Sequence, residues 1–186
     1  QCIKKPLPFR ATGWKTRKDI RDEGNVIRTD SPALIEKIMR SSPHEIIVID
    51  DYQAVMVNEL MGRSTETGFT KFSDIGKNAW NIFTAAGGLA DHRRVYILAH
   101  TQTDDFGNVR MKTVGKMVDQ TLVPEGYFTI VLRTEVRDAQ YYFSTQTNGQ
   151  DCCKSPIGMF ADRHIDNDLA LVDEAITSFY ELEAVA

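Results

Sequence analysis

Two adjacent carboxylates, Asp50 and Asp51, close an apolar run that reads His44-Glu45-Ile46-Ile47-Val48-Ile49. An aspartate emerging at the carboxyl end of a strand can hold Mg²⁺ through water and so serve a nucleoside triphosphate. Paired carboxylates can also hold the metals of a phosphoryl-transfer nuclease, with Asp104 or Asp105 as the further ligand. The structural alternative is capping, because Asp is a preferred N-cap and its charge suits a helix N-terminus. A second polar group, His100-Thr101-Gln102, follows the run Val95-Tyr96-Ile97-Leu98-Ala99. His100, Thr101 or Gln102 can sense a γ-phosphate or orient an attacking water, a task for a hydrogen-bonding side chain rather than a strong base. The alternative is an ordinary polar passage from strand to loop.

For these groups to meet, the two apolar runs must be parallel neighbours. Four consecutive branched residues are too short for a buried helix and predict a strand covered on both faces of a parallel sheet. Ser31-Pro32 opens a short helix that ends near Ser41 and feeds this strand. Helical recurrence follows over Tyr52 to Met61, with a polar loop from Gly62 to Gly68. A longer helix spans Phe72 to about Leu89, with Trp80 and Phe83 in the core. Arg94 to Ala99 is the second strand, and a right-handed crossover brings its end beside Asp50 and Asp51. Asp104 to Lys116, which carries Gly107, Arg110, Lys112 and Lys116, reads as a mobile loop. Lys116 to Leu122 is a short helix. Tyr127 to Arg133 and Tyr141 to Gln146 pair as an antiparallel hairpin through Asp138-Ala139. Asp151 to Asn167 reads as an ordered loop, and Asn167 to Leu182 as a terminal helix docked on the sheet.

At 186 residues the chain is long enough for one domain with a continuous core. Its 42% hydrophobic and 26% charged residues are ordinary for a globular protein, and the net charge of -4 gives no global sign of nucleic-acid binding. Three cysteines, with Cys152 and Cys153 adjacent, make neither a disulfide framework nor a zinc knuckle. The four histidines form no short metal motif. No stretch approaches the roughly 18 to 20 apolar residues of a membrane span, and no signal peptide is evident. These features predict a cytoplasmic protein. Gln1-Cys2-Ile3 reads as the tail of a strand already under way, as in a fragment or a processed product. Lys4 to Arg28 is a basic, irregular connecting segment that includes Pro8, Lys18 and Arg21.

The whole set resembles phage-encoded ATP-binding proteins of the RecA-like P-loop ATPase class, associated with single-strand annealing and recombination. The set comprises Ile-Ile-Val-Ile-Asp-Asp, a long helix, Tyr-Ile-Leu-Ala-His-Thr-Gln, Lys-Thr-Val-Gly-Lys, Phe-Thr-Ile-Val-Leu-Arg and a late Lys-Ser-Pro. It extends to Lys-Pro-Leu-Pro-Phe-Arg at residues 5 to 10 and to the closing Asn-Asp-Leu-Ala-Leu-Val-Asp-Glu-Ala-Ile helix, and so covers nearly the whole chain. The resemblance implies an α/β fold, a RecA-like three-layer sandwich with a mostly parallel central sheet and a C-terminal antiparallel hairpin. It implies ATP and Mg²⁺ as cofactors, with Asp50 the Walker B carboxylate on the metal and Asp51 its neighbour. His100 to Gln102 take the place of the polar sensor. The loop from about Thr103 to Lys116 matches the DNA-facing loop, where Arg110, Lys112 and Lys116 contact phosphates of single-stranded DNA; a solvated loop surface is the plain alternative. Lys154 falls where the class places a cation that reaches a neighbouring subunit's nucleotide, which implies a homo-oligomer assembled head to tail. A single-strand-binding or annealing protein is the further partner.

One element of the class pattern does not occur. The phosphate-binding loop, Gly-x-x-x-x-Gly-Lys-Ser/Thr, is absent, and the family keeps it upstream of the segment where this chain begins. Gly115-Lys116 and Gly76-Lys77 lack the required spacing and hydroxyl. Without that loop the backbone N–H cradle and its lysine are missing, so this stretch by itself is expected to bind ATP poorly. Two readings follow: an ATPase core truncated before its P-loop, and a RecA-like binding or assembly module that works without ATP hydrolysis.

Overall fold

The computed structural model describes residues 1–7, 10, 12–17 and 23–182. Pro8, Lys18 and Arg21 of the basic connecting segment lie outside the described residues. The chain is mixed α/β and divides into two compact units. The first comprises Gln1–His100 and Lys112–Val123, the second Thr101–Met111 and Pro124–Ala186.

In the first unit two short parallel pairs form. β1 (Thr16–Arg17) pairs with β2 (Val26–Ile27), and β3 (Ile46–Ile49) pairs with β4 (Arg94–Ile97). Gln1 and Cys2 run between the pairs: the Gln1 backbone nitrogen donates to the Ile27 carbonyl at 2.9 Å, Thr29 N–H donates back to Gln1, and Cys2 N–H donates to the Asp50 carbonyl at 2.9 Å. Four helices complete the unit: α1 (Pro32–Ser41), α2 (Gln53–Gly62), α3 (Thr70–Gly87) and α4 (Lys116–Thr121). The β3–β4 register, Ile46 opposite Arg94 through Ile49 opposite Ile97, makes the two strands the parallel neighbours that the polar groups require.

α3 is the organising helix and packs against α1, α2 and α4. On the 3.6-residue period its Ile75, Ala79, Ile82 and Phe83 form one stripe, and all four are buried. Trp80 falls beside that stripe and is 41% exposed, so the expectation of a core Trp80 is corrected. β3 also departs from expectation. Ile49 is buried, but Ile46 and Val48, which point to the opposite face, are each 44% exposed. Consecutive strand residues alternate faces, and here one face of β3 is open.

The second unit is antiparallel. β5 (Thr101–Thr103) and β6 (Val109–Met111) form one hairpin. β7 (Arg133–Arg137), β8 (Gln140–Ser144) and β9 (His164–Asp166) form a three-stranded sheet, followed by α5 (Leu169–Phe179). The β7–β8 turn falls at Asp138-Ala139 as expected, with φ of 50° and 61°, the left-handed pair that matches the twist of a two-residue hairpin. Its first strand begins later than expected, because Pro124–Tyr127 is a 3₁₀ turn whose Glu125 Oε1 accepts the Met111 N–H at 2.6 Å. β9 arises inside the segment expected to be a loop. α5 is capped by Asp168, whose Oδ1 accepts the Ala170 N–H at 2.8 Å. The docking expected of this helix is slight: Val172 is buried while Leu171, Phe179 and Tyr180 are exposed.

Among the described residues the sheets are therefore short and separate, and no long parallel central sheet is formed. Among them, too, no helix is long and apolar enough to cross a membrane. The one-sided burial of β3 leads to a testable contrast. Ile82→Ala, in the α3 stripe, is expected to cost roughly 2–5 kcal/mol, and Val48→Ala, on the open face, about 1 kcal/mol. Urea unfolding of both variants measures this, and equal losses would place core on both faces of β3.

Candidate acidic site at the ends of β3 and β4

The site is built by a sharp reversal at the end of β3. Asp51 adopts φ 58°, a left-handed conformation that Asp tolerates better than most residues because its short side chain bonds locally. The reversal lets Tyr52 N–H donate to the Leu98 carbonyl at the end of β4, 3.0 Å away. The Tyr52 side chain then drops into the core, where its hydroxyl donates to the Ala79 carbonyl of α3 at 2.9 Å and its ring lies 5.1 Å from that of Phe83. Burial pushes the Tyr52 hydroxyl pKa well above its usual range, so it remains a neutral donor.

The two carboxylates have different surroundings. The Asp51 side chain is only 8% exposed and lies between two basic groups: the Lys5 ammonium pairs with Oδ2, and His100 Nε2 stands 3.6 Å from Oδ1. The hydrogen bond to Asp51 raises the Lys5 pKa, so that ammonium stays charged. Asp50 is half-buried, and its carboxylate has no hydrogen-bond or ion-pair partner among the described residues. An open carboxylate beside a neutralised one fits a hydrated Mg²⁺, which commonly takes one or two carboxylates and keeps several waters. Among the described residues no group of three or more His, Cys, Asp or Glu side chains is arranged to hold a metal. Gln53, the first residue of α2, completes the turn by donating from Nε2 to the His100 carbonyl at 2.7 Å.

Of the residues singled out by sequence, the structure brings Asp51 and His100 together with Asp50 alongside. Lys112 and Lys116 belong to the same unit and are exposed, Lys116 as the first residue of α4 after Gly115, whose φ of 78° turns the chain into that helix. Gln102, Arg110 and Lys154 belong to the second unit. Gln102 and Arg110 are register partners across β5 and β6. Lys154 exchanges two backbone hydrogen bonds with Val131, at 2.8 and 2.9 Å. Sequence reasoning missed Lys5, whose approach to Asp51 leaves no local signal, and Gln53.

It also missed the form of the Asp104–Lys116 segment, most of which is a hairpin rather than a loop. Asp104 organises its tip: Oδ1 accepts from the Phe106 and Asn108 N–H groups at 2.9 and 2.8 Å, and Oδ2 accepts from Asn108 Nδ2 at 2.9 Å. The Asn108 bonds hold the Asp104 carboxyl below the usual range. Arg110 lies 3.6 Å from the same carboxylate. This geometry presents Phe106, 87% exposed, at the tip. It also commits Asp104 to the turn, which removes support from a nuclease site that would use it as a metal ligand.

A second charged cluster ties the three-stranded sheet together. Arg133 bonds Glu135 at 2.8 Å and the enclosed carboxylate of Asp151 at 3.1 Å, and Arg137 bonds Glu135 at 2.6 Å. Arg137 also donates to His164 Nε2 at 2.7 Å, which requires a neutral imidazole. The three cysteines are free thiols; burial pushes Cys2 up to about 11 and Cys153 up to about 12, and Cys152 is exposed.

Compared with protein-family models, with curated proteins and with solved structures, the chain finds no match.

Glu135 gives this region a defined acid sensitivity. Burial alone would raise its pKa, but the bonds from Arg137 and Arg133 outweigh burial and hold it at about 2, below the ordinary 4.5. A carboxylate with a lowered folded pKa contributes stability fully above the unfolded value and loses it as the pH falls through the folded one. Stability of the chain should therefore decline between pH 4.5 and about 2, and Glu135→Gln should flatten that decline. Urea midpoints measured by circular dichroism across this window test it; an unchanged slope in the variant would remove Glu135 as the cause.

Proposed function

We propose that this chain is the core of a RecA-like ATP-binding protein that acts on single-stranded DNA in recombination or annealing. The observation that carries this reading is the acid-ended β3 paired in parallel with β4, with Asp50 open and Asp51 buried between Lys5 and His100. In this reading Asp50 would hold Mg²⁺, which would supply positive charge to the phosphates of ATP. Asp51 is the neighbour of Asp50 in the site, and His100 senses the γ-phosphate. Strained, enclosed carboxylates of this kind concentrate at functional sites.

The hairpin is the DNA element. An exposed aromatic beside a cation is the combination on which single strands stack and through which their backbones are tracked, and Phe106 with Arg110 supplies it. Lys112 and Lys116 add phosphate contacts. Lys154 reaches the nucleotide of the next subunit in a head-to-tail homo-oligomer, with a single-strand-binding or annealing protein as further partner in the host cytoplasm. The finer architecture that goes with this reading is the RecA-like three-layer sandwich, whose parallel sheet would grow outward from β3 and β4.

The second reading, a RecA-like module that binds or assembles without hydrolysing ATP, is favoured by the absence of Gly-x-x-x-x-Gly-Lys-Ser/Thr from the sequence. One titration separates the two. A fluorescent MgATP analogue is added to this chain and to a form extended upstream by roughly 40 residues, enough for a strand, a phosphate loop and a helix. The ATPase reading expects binding by the extended form, abolished together with hydrolysis by Asp50→Ala; no binding by either form selects the non-hydrolysing module. Phe106→Ala is expected to weaken binding of a fluorescent oligothymidylate about tenfold or more, and unchanged affinity would end the role of the hairpin in both readings.

A further inference from the structure

The acidic turn is wired to the roots of the β5–β6 hairpin by one side chain. The chain leaves the first unit after His100 and re-enters it at Lys112, and Thr101 to Met111 between them form the hairpin. The His100 carbonyl accepts two hydrogen bonds, from the Lys112 N–H at 2.9 Å and from Gln53 Nε2 at 2.7 Å. Since a carbonyl can only accept, the nitrogen of the Gln53 amide must face it. Gln53 is 7% exposed, and its Oε1 is buried with no hydrogen-bond partner among the described residues. A buried amide oxygen left without a donor costs stability, so packing alone does not favour glutamine here.

We propose that Gln53 is a positioning residue that transmits the state of the Asp50-Asp51 turn to His100 and Lys112, the two ends from which the hairpin springs. The path is short. Only Tyr52 separates Gln53 from Asp51, and His100 and Lys112 directly precede and follow the hairpin. Asp51 also approaches His100 directly, but that imidazole is solvent-exposed and such a contact is weak. The Gln53 bond is part-buried and has a defined direction. The inference rests on the function proposed above only for its meaning, with the turn as the nucleotide end and the hairpin as the DNA end; the coupling itself needs neither ligand.

Amide hydrogen exchange on the full chain tests the proposal without nucleotide. Asp51→Asn removes the charge that holds Lys5 and His100 and keeps a residue that accepts the left-handed conformation. It is expected to change exchange at the Lys112 N–H and at the amides of β5 and β6 about tenfold. In a Gln53→Met background the same substitution should leave those amides unchanged, while the α3 amides hold their protection throughout. A purely structural Gln53 would give the same Asp51→Asn effect in both backgrounds, and that result, or no effect in the native background, overturns the proposal. If Gln53→Met exposes the α3 amides, the NMR signals of the Gln53 side-chain NH₂ in the native chain and in Asp51→Asn decide instead. They must shift together with the Lys112 N–H, and stationary Gln53 signals overturn the coupling. Failure to bind nucleotide would overturn the ATP reading and leave these outcomes intact.

Discussion

The first unit depends on the burial of a phenol. Tyr52 is fully enclosed, and a hydroxyl taken from water without a partner would cost about 1–3 kcal/mol of what its ring gains in packing. The Ala79 carbonyl meets that requirement at one place only, midway along α3, against the stripe that gathers α1, α2 and α4. The backbone of the same residue closes the end of the β3–β4 pair through Leu98. Side chain and main chain of Tyr52 therefore fix the same turn from two directions. The left-handed Asp51 follows from this: the chain must reverse within a residue of leaving β3 if Tyr52 is to reach both partners. The strain at Asp51 is imposed by the core, and the carboxylate is delivered to a set position as a result.

Electrostatics do different work in the two units. On α2 and α3, Arg63 bonds Glu59, Glu66 and Asp74, and Asn78 bonds Glu59, a network that faces solvent and mainly fixes the connection between the helices. In the second unit Arg133 and Arg137 hold the little-exposed carboxylates of Glu135 and Asp151, and Arg137 links β7 to His164 of β9. A sheet of three short strands has little apolar area, and Val136 and Tyr141 stand exposed on it, so charge-assisted hydrogen bonds carry a larger share of its cohesion. The exposed flank of α5 is consistent with the same shortage of apolar packing.

What the sequence makes legible is what local periodicity encodes. Pro32 and the stripe of α1, the stripe of α3, the β-branched run of β3 and the turn at Asp138-Ala139 all lie where a short window places them. The errors are of two physical kinds. Trp80 and the Ile46/Val48 face were misjudged because hydrophobicity says that a side chain prefers cover, whereas only the arrangement of neighbouring elements says whether cover is present. Lys5 and Gln53 were missed because their partners, Asp51 and His100, are remote in the chain, and no spacing announces such a contact. The hairpin tip is a different case. Asp104, Gly107 and Asn108 are turn residues with a mechanism, and the bonds they make were available to a reading that asked where the Asp104 oxygens would go.

The unequal treatment of the two aspartates is the most informative part of the site. A carboxylate that served to begin α2 would be turned toward its first amide groups. Instead Asp51 meets Lys5 and His100, and Asp50 stands half-buried without a partner among the described residues. An unpaired carboxylate beside a neutralised one can accept a dication without the repulsion that two open carboxylates would suffer in its absence. Capping of α2 therefore does not account for where Asp51 is held.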